Sequence, residues 1–299
     1  MRKILFYFLL IILFFSACEK TEDIVDFPIK DPELVVNAMF TSGENFEFQV
    51  SRSLSVLDNA DLKNLTDATI YLYEDNILID TITEQKPNEW YFSNKTPVLG
   101  KTYAIKVYHQ GYNHLEAEDM LPAPVSISQL SYIVKDSSTY YDDYSGESYG
   151  NCTFDLTVNF NDPVSSENYY LFSGYSYSID NYYGDTLKDN IYFDQKEGGN
   201  AFVETYSSEG LIFSDKYFNG KSFSFITEVE DWNFTNGKTY FFVLSSLSHD
   251  AYLYKKSLAM YENAHNNFFS EPVQVYNNIK NGYGIFAGFS SVTDSIKFE

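Results

Sequence analysis

Short runs in which apolar and polar residues alternate recur along almost the whole chain, and this period of two constrains the fold most strongly. In residues 152–160, Cys, Phe, Leu, Val and Phe occupy every second position. Successive side chains of a β-strand point to opposite faces of a sheet, so such a run predicts a strand with one buried face. Aromatic residues make up 18% of the chain, nearly all of them Tyr and Phe, which also favours strands over helices. The sequence therefore predicts a mainly β protein.

The strand signals fall into two groups, separated by Pro122 and Pro124. About seven signals with turn residues between them lie in residues 33–122, the pattern of an antiparallel sandwich. We predict an N-terminal immunoglobulin-like or transthyretin-like β-sandwich there and a C-terminal β-rich domain over residues 123–299. The predicted fold class is mainly β, with two β-sandwich-like domains and one helix in the C-terminal domain.

The helix is predicted from one segment that breaks the strand pattern. Apolar side chains recur there at spacings of three and four residues, at Ala251, Tyr254, Leu258 and Tyr261. Ser248 is a candidate N-cap, and Asp250 in the first turn would complement the helix dipole. We place the helix near residues 249–264.

The first eighteen residues have the three regions of an export signal. Arg2 and Lys3 precede an apolar run at residues 4–15, and Ser, Ala and Cys18 follow. A helix of that run rises about 18 Å, too short for a hydrocarbon core of roughly 30 Å. Small residues before a cysteine resemble the lipobox of bacterial lipoproteins, so we expect a lipoprotein signal peptide at 1–17 and lipidation of Cys18. The alternative is an ordinary signal peptide with a chance cysteine.

Residues 18–32 are predicted to be an acidic tether after the lipidated Cys18. An acidic stretch at this place resembles the export tag that sends Bacteroidota lipoproteins to the outside of the outer membrane. The resemblance implies a lipid-anchored protein of the outer membrane that faces the cell exterior.

The charge balance excludes one class of partner. The chain has 20 Lys and Arg residues against 42 Asp and Glu residues, a formal net charge of −22, and Arg2 and Arg52 are its two arginines. Neutralising phosphates requires clustered cations, so we expect no nucleic acid among its partners.

No motif in the sequence predicts catalysis. Residues 146–150 (Gly-Glu-Ser-Tyr-Gly) have the Gly-x-Ser-x-Gly spacing, but they end a polar, tyrosine-rich stretch and lack the strand-to-helix context of a nucleophile elbow. The Gly282–Ala287 stretch (Gly-Tyr-Gly-Ile-Phe-Ala) lacks the βαβ context of a dinucleotide loop, so a turn before a strand is the better interpretation. His109 and His114 face opposite sides of a strand unless a turn intervenes, so loop histidines are favoured over metal ligands. We predict no enzyme activity, no cofactor and no metal.

Cysteine use agrees with this interpretation. With Cys18 lipidated, Cys152 has no cysteine partner, and the alternation around it predicts a buried structural thiol.

Tyrosine clustering marks a candidate binding surface. Two segments carry it, and the residues are Tyr140, Tyr141, Tyr144, Tyr149, Tyr175, Tyr177, Tyr182 and Tyr183. Tyrosine offers a large contact area at low entropy cost and keeps a hydroxyl for hydrogen bonding. Cross-strand tyrosines also stabilise sheets, and this structural alternative stays open.

Nearly all of the chain after Cys18 resembles the Bacteroidota domain-of-unknown-function 4249 lipoprotein family. The segments that carry the resemblance are residues 35–38, 51–53, 67–70, 100–103, 168–170, 218–221, 252–258, 271–273 and 278–289. The last of them, Asn-Ile-Lys-Asn-Gly-Tyr-Gly-Ile-Phe-Ala-Gly-Phe, belongs to the most specific part. The resemblance implies a lipid-anchored envelope protein, often encoded beside a TonB-dependent outer-membrane transporter, and it implies no site residues.

Three functional hypotheses follow. The first is a non-enzymatic, surface-exposed lipoprotein that docks on an outer-membrane β-barrel transporter and helps to capture or gate its ligand. The second is a glycan-binding or adhesive module that uses Trp90 or the tyrosine segments. The third is an uncharacterised enzyme, which would require a deep pocket with converging polar groups.

Overall fold

Strands account for most of the chain in a computed structural model of the protein. The structure describes residues 31–55, 63–83, 85–86, 90–142, 147–164, 167–179, 185–193, 200–235, 237–265 and 270–298. The predicted signal peptide, Cys18 and the tether up to residue 30 lie outside the described residues.

The N-terminal strands are short and closely spaced. They are β1 (Leu34–Phe40), β2 (Glu47–Arg52), β3 (Thr69–Glu74), β4 (Ile77–Ile82), β5 (Gln85–Lys86), β6 (Trp90–Phe92), β7 (Thr102–Tyr108) and β8 (Leu115–Met120). Strand β1 shows the predicted alternation, because Leu34, Val36, Ala38 and Phe40 are buried and the residues between them are partly exposed.

The remaining strands are longer. They are β9 (Ile127–Asp142), β10 (Glu147–Asn161), β11 (Tyr169–Ile179), β12 (Thr186–Ile191), β13 (Val203–Ser207), β14 (Gly210–Ser214), β15 (Ser222–Phe234), β16 (Thr239–Leu247) and β17 (Tyr283–Lys297). A 3-10 turn spans Asp215–Tyr217, and helix α1 spans His249–His265 between β16 and β17. The predicted mainly β fold with a helix in the C-terminal region is confirmed.

Three sheets contain these strands. The central sheet has the order β13-β14-β11-β16-β17-β1-β2-β6-β5, and β12 also pairs with β11. A four-stranded sheet has the order β4-β3-β7-β8, and a three-stranded sheet has the order β15-β10-β9. Each smaller sheet shares a hydrophobic core with one half of the central sheet, which gives a sandwich-like packing on both sides of β17.

Strand β17 joins the two halves of the central sheet. Its residues 283–288 pair in parallel with residues 35–40 of β1, and its residues 289–297 pair antiparallel with β16. Nothing in the sequence of β1 or of β17 indicates that these two strands, far apart in the chain, pair in parallel. The predicted domain boundary at residue 122 stays a prediction; the structure shows that one strand contributes to both halves.

The first hydrophobic core depends on this arrangement. It contains side chains from β1 to β8 and also Ile279 and Phe286, which lie more than 150 residues further along the chain. Phe286 is fully buried, and its ring centroid lies 4.8 Å from that of Phe40. The C-terminal segment is therefore part of the packing of the N-terminal sandwich.

The second core lies between the three-stranded sheet and the other half of the central sheet. Phe154 of β10, Phe172 of β11 and Phe242 of β16 are fully buried in it. Cys152 is buried in the same core, as its alternation predicts. Burial, with Asp231 and Asp136 nearby, raises the pKa of its thiol, so this cysteine is poorly suited to act as a nucleophile.

Helix α1 forms a further layer on the outer face of the central sheet. Its buried residues are Ala251, Tyr252 and Ala259, and they pack against side chains of β11, β14, β16 and β17. The spacing analysis placed Tyr261 on this face, but Tyr261 is 44% exposed. The small Ala251 and Ala259 side chains bring the helix close to the sheet, and the larger Tyr254 and Leu258 lie partly exposed beside them.

A partly buried carboxylate connects the start of α1 to both halves of the central sheet. Ser248 is the predicted N-cap, and its Oγ accepts a hydrogen bond of 3.0 Å from the Ala251 amide. The same hydroxyl donates to Asp119 Oδ2 at the end of β8, and that oxygen also accepts 2.9 Å from the Gly288 amide of β17. Burial raises the pKa of Asp119 to about 6, against the opposing effect of these hydrogen bonds.

We predict that Gly284→Ala destabilises the protein much more than Gly43→Ala. Both glycines have positive φ, +113° and +85°, so both substitutions introduce backbone strain. A Cβ at residue 284 would also lie 2.0 Å from the Val36 carbonyl oxygen, whereas none of the surrounding atoms approaches residue 43 within 4 Å. Urea unfolding should show a loss of about 1 kcal/mol for Gly43→Ala and at least about 3 kcal/mol for Gly284→Ala. Equal losses would contradict the close pairing of β1 and β17.

We also predict that Asp119 makes the protein more stable as the pH falls from about 6 to about 4. The carboxyl has a higher pKa in the folded than in the unfolded state, so the folded state binds more protons in this window. The gain is roughly 2 to 3 kcal/mol in the free energy of unfolding. Asp119→Asn should remove this part of the pH dependence, because an amide oxygen can still accept both hydrogen bonds.

The control is Glu118→Gln, which removes one negative charge from an exposed position of the same strand. Unfolding curves at a series of pH values compare the three proteins. The assignment is wrong if Asp119→Asn and Glu118→Gln change the pH dependence by the same amount.

Candidate functional site

The hairpin of β9 and β10 carries several exposed apolar side chains. The two strands pair from Ile127 and Phe160 out to Asp142 and Glu147, whereas β15 accompanies β10 only as far as Gly150. The outer part of the hairpin therefore has two strands. We call the whole β9–β10 hairpin the arm.

Strand β9 also has an open edge. It is the last strand in its sheet, and within the described chain no strand pairs with its other side. Four large side chains on it are exposed, namely Ile133 (70%), Val134 (44%), Tyr140 (51%) and Tyr141 (62%). An exposed edge of this length is able to add a strand from another chain.

The first group of predicted tyrosines lies on the arm. Tyr140 is opposite Tyr149, and Tyr141 is opposite Ser148. Tyr144 and the side chain of Tyr149 lie outside the described residues. The structure therefore brings Tyr140 and Tyr141 to one exposed strand, and their role as a binding surface stays a prediction.

The second group lies on a different sheet. Tyr175 stacks on Phe241 of β16 with ring centroids 5.1 Å apart, and Tyr177 contacts both rings edge-on at 5.5 and 5.7 Å. Lys188 Nζ lies 4.0 Å from the centre of the Tyr175 ring. These contacts are cross-strand packing, the structural alternative of the sequence analysis. Tyr182 and Tyr183 lie outside the described residues.

A first cleft lies beside helix α1, on the outer face of the first half of the central sheet. We call it the Trp90 cleft; its volume is about 290 Å³, and its lining includes Trp90, Tyr254, Met39, Ile285, Glu44 and Glu47. Among the described residues, the side chains of Glu44 and Glu47 make no hydrogen bond or ion pair. The Trp90 named in the sequence analysis is thus next to a cleft.

A second cleft opens at one end of the second sandwich, between β12 and β15. We call it the Trp232 cleft; its volume is about 330 Å³, and its lining includes Trp232, Tyr192, Ser176, Asp189, Lys238 and Tyr240. Trp232 is 69% exposed and Tyr192 is 64% exposed. The chain has two tryptophans, and each of them lines one of the two clefts.

A hydrogen-bonded group of polar side chains forms one wall of the Trp232 cleft. Lys238 Nζ donates 2.7 Å to Asp231 Oδ2 and 3.0 Å to the Asn233 carbonyl oxygen. The Tyr240 hydroxyl donates to the same carboxylate oxygen, and burial together with this bond raises the pKa of Tyr240. Because Asp231 neutralises the buried Lys238, the ammonium is held in a fixed position.

A β-bulge places Trp232 at the mouth of this cleft. Gly150 pairs with Phe234 and Cys152 pairs with Asp231, so Trp232 and Asn233 together lie opposite the single residue Asn151. The extra residue returns Phe234 to the core side, where its ring centroid lies 5.5 Å from that of Phe298. Trp232 and Asn233 are both exposed.

The sequence analysis missed this cleft. It did not select Trp232, Ser176, Asp189 or Lys238, which are spread over four separate strands or strand ends. One signal was present, because the alternation of β15 stops at Asp-Trp-Asn, where two neighbouring side chains are polar and a rare tryptophan lies between them.

The two histidines weighed as metal ligands in the sequence analysis make other contacts in the structure. His109 Nε2 lies 2.9 Å from the Thr66 carbonyl oxygen, and His114 stacks on Tyr108 at 5.2 Å. Within the described parts of the chain, no group of three or more His, Cys, Asp or Glu side chains converges on one point. In those same parts, no helix combines the length and the apolar character needed to cross a membrane.

The predicted turn lies at Asn281 and Gly282, just before β17, and Asn281 has φ +60°. Gly284, with φ +113°, is already the second residue of β17, and the chain continues as a strand rather than as a helix. The loop therefore has no dinucleotide-binding context.

Comparison with known sequences identifies the family. The profile described as "Domain of unknown function (DUF4249)" matches residues 21–295. No curated protein matches the chain. The match covers nearly all of the described strands and the helix, including the shared strand β17. The chain belongs to the DUF4249 family.

Proposed function

We propose that this protein is a non-enzymatic, lipid-anchored lipoprotein of the outer membrane that faces the cell exterior, docks on a TonB-dependent β-barrel transporter, and helps to capture or gate its ligand. The order of charged, apolar and small residues before Cys18 supports the anchor. The resemblance to a lipoprotein family often encoded beside such transporters supports the partner.

The exposed arm is the observation that carries the docking proposal. Among the described strands, its edge strand β9 has a neighbour on one side only, and it carries four exposed apolar or aromatic side chains. A partner that adds an extended segment to this edge would extend the sheet and cover the side chains, as in other strand-addition interfaces. The extracellular loops of a barrel offer extended segments of this kind.

A glycan-binding or adhesive module is the second candidate. It is favoured by the two clefts, since each combines a tryptophan with carboxylate side chains. Binding and docking are compatible, because the Trp232 cleft and the arm lie at different places on the second sandwich.

We rank binding above catalysis. In the Trp232 cleft, the Lys238 ammonium and the Tyr240 hydroxyl both donate to Asp231. This arrangement fixes three side chains in place and leaves none of the three ready to attack or to transfer a proton. The enzyme hypothesis therefore comes last.

We predict that the mature chain begins at Cys18 and carries acyl chains there. Mass spectrometry of the N-terminal peptide from membrane-extracted protein should show a lipidated cysteine, and Cys18→Ser should leave the signal peptide uncleaved. Protease added to intact cells should digest the natural protein if it faces the exterior. An unlipidated N-terminus at another residue would contradict the anchor.

We also predict that gentle detergent extraction of a tagged chain recovers an outer-membrane barrel. Ile133→Glu combined with Tyr141→Ala should reduce this recovery at least about tenfold, because a buried charge and a lost aromatic contact weaken the strand-addition interface. Recovery of the lipoprotein alone from intact outer membrane would count against docking.

The matched control is Ile226→Glu. Ile226 is 54% exposed on β15, the opposite edge strand of the same three-stranded sheet. The Ile226→Glu substitution introduces the same charge as Ile133→Glu at a similarly exposed position. Barrel recovery by this variant should stay at the level of the natural chain. Equal loss in both variants would mean that the arm is not the docking element.

A further inference from the structure

We propose that the Trp232 cleft binds a neutral saccharide. The inference names the ligand class for the capture role proposed above and rests on that role only for its biological setting. It is carried by three features of the cleft, namely exposed aromatic rings, polar groups with unused hydrogen-bonding capacity, and a charge pattern that disfavours ionic ligands.

The aromatic rings of the cleft suit a sugar ring. Trp232 and Tyr192 line the cleft and are 69% and 64% exposed, so their rings are available to a ligand. The less polar C–H face of a sugar ring packs on such a surface, while the indole N–H and the phenol hydroxyl remain able to form hydrogen bonds. The bulge at residues 232–233 turns Trp232 away from the core, and bulges often orient side chains at functional sites.

Two buried polar groups of the cleft have hydrogen-bonding capacity that the described protein does not use. Ser176 is 3% exposed and lines the cleft, and its hydroxyl takes part in no described hydrogen bond. Lys238 is 9% exposed, and an ammonium has three N–H donors, of which the described bonds use two. Both groups line the cleft, so a ligand hydroxyl placed there is able to hydrogen-bond to both.

Further donors and acceptors surround these two groups. Asp189 supplies carboxylate oxygens, and the amides of Asn190 and Asn233 supply both donors and acceptors. A sugar hydroxyl both donates and accepts, so it matches a lining that mixes the two. An apolar ligand would leave these groups without partners.

The charges of the cleft select against ionic ligands. Asp189, Glu230 and Asp231 outnumber Lys238, the one cation among the lining residues, so a phosphate or carboxylate would be repelled. An ammonium ligand would compete with Lys238, which already occupies Asp231 Oδ2 at 2.7 Å. A neutral polyhydroxylated ligand avoids both conflicts.

The test uses the natural chain without its signal peptide and three variants, Trp90→Phe, Trp232→Ala and Asp189→Ala. Each protein is titrated with maltohexaose, cellohexaose, xylohexaose and hexa-N-acetylchitohexaose, all of them neutral, in a calorimeter. Trp90→Phe leaves Trp232 as the single tryptophan, so its fluorescence reports the cleft directly. Circular dichroism checks that the variants fold, which we expect because Trp232 lies largely at the surface.

At least one of the four oligosaccharides should bind to the natural chain and to Trp90→Phe with similar affinity and should change the fluorescence of Trp90→Phe. Trp232→Ala should weaken binding at least about tenfold, and Asp189→Ala should weaken it measurably. Trp232→Ala should not change the recovery of a barrel by the tagged chain. This result separates the saccharide inference from the docking proposal.

Three results would overturn the inference. The first is no heat and no fluorescence change with any of the four oligosaccharides. The second is full affinity in Trp232→Ala, and the third is loss of binding in Trp90→Phe alone, which would move the site to the Trp90 cleft.

Discussion

The pairing of β17 with two different partners is the constraint on which the rest of the structure depends. Its first six residues extend the N-terminal half of the central sheet in parallel with β1, and its last nine residues extend the C-terminal half antiparallel to β16. Phe286 in the first part and Ile296 in the second are buried in different cores. Because β17 is one continuous strand that contributes to both cores, the two halves of the sheet cannot separate without breaking the hydrogen bonds between β17 and β1 or between β17 and β16.

The hydrogen bonds of Asp119 and the packing of helix α1 strengthen the connection between the two halves of the central sheet. Asp119 links the end of β8 to the N-cap Ser248 and to Gly288, the residue of β17 at which its pairing changes from β1 to β16. Helix α1 then covers the outer face of both halves through Ala251 and Ala259. Ionising the Asp119 carboxyl at this place costs free energy because the group is partly removed from water. Strand β8, strand β17 and the start of helix α1 meet around it.

The folded body offers two kinds of surface for binding. The arm presents an open strand edge with Ile133 and Tyr141, which suits a protein partner that adds a strand. The Trp232 cleft is small and lined by polar groups around Lys238, which suits a soluble ligand. A tethered protein with both surfaces could hold a ligand close to a transporter, and this division of roles agrees with the proposed function.

Local features of the sequence determined the strands, the helix with its Ser248 cap and the burial of Cys152, because each depends on residues close together in the chain. The parallel pairing of β1 with β17, the bulge beside Trp232 and the surroundings of Asp119 depended on tertiary structure. Residues far apart in the chain meet at each of these places. Period-two alternation predicts which face of a strand is buried. It does not predict which strand pairs with it, or which side chains from other elements meet at its end.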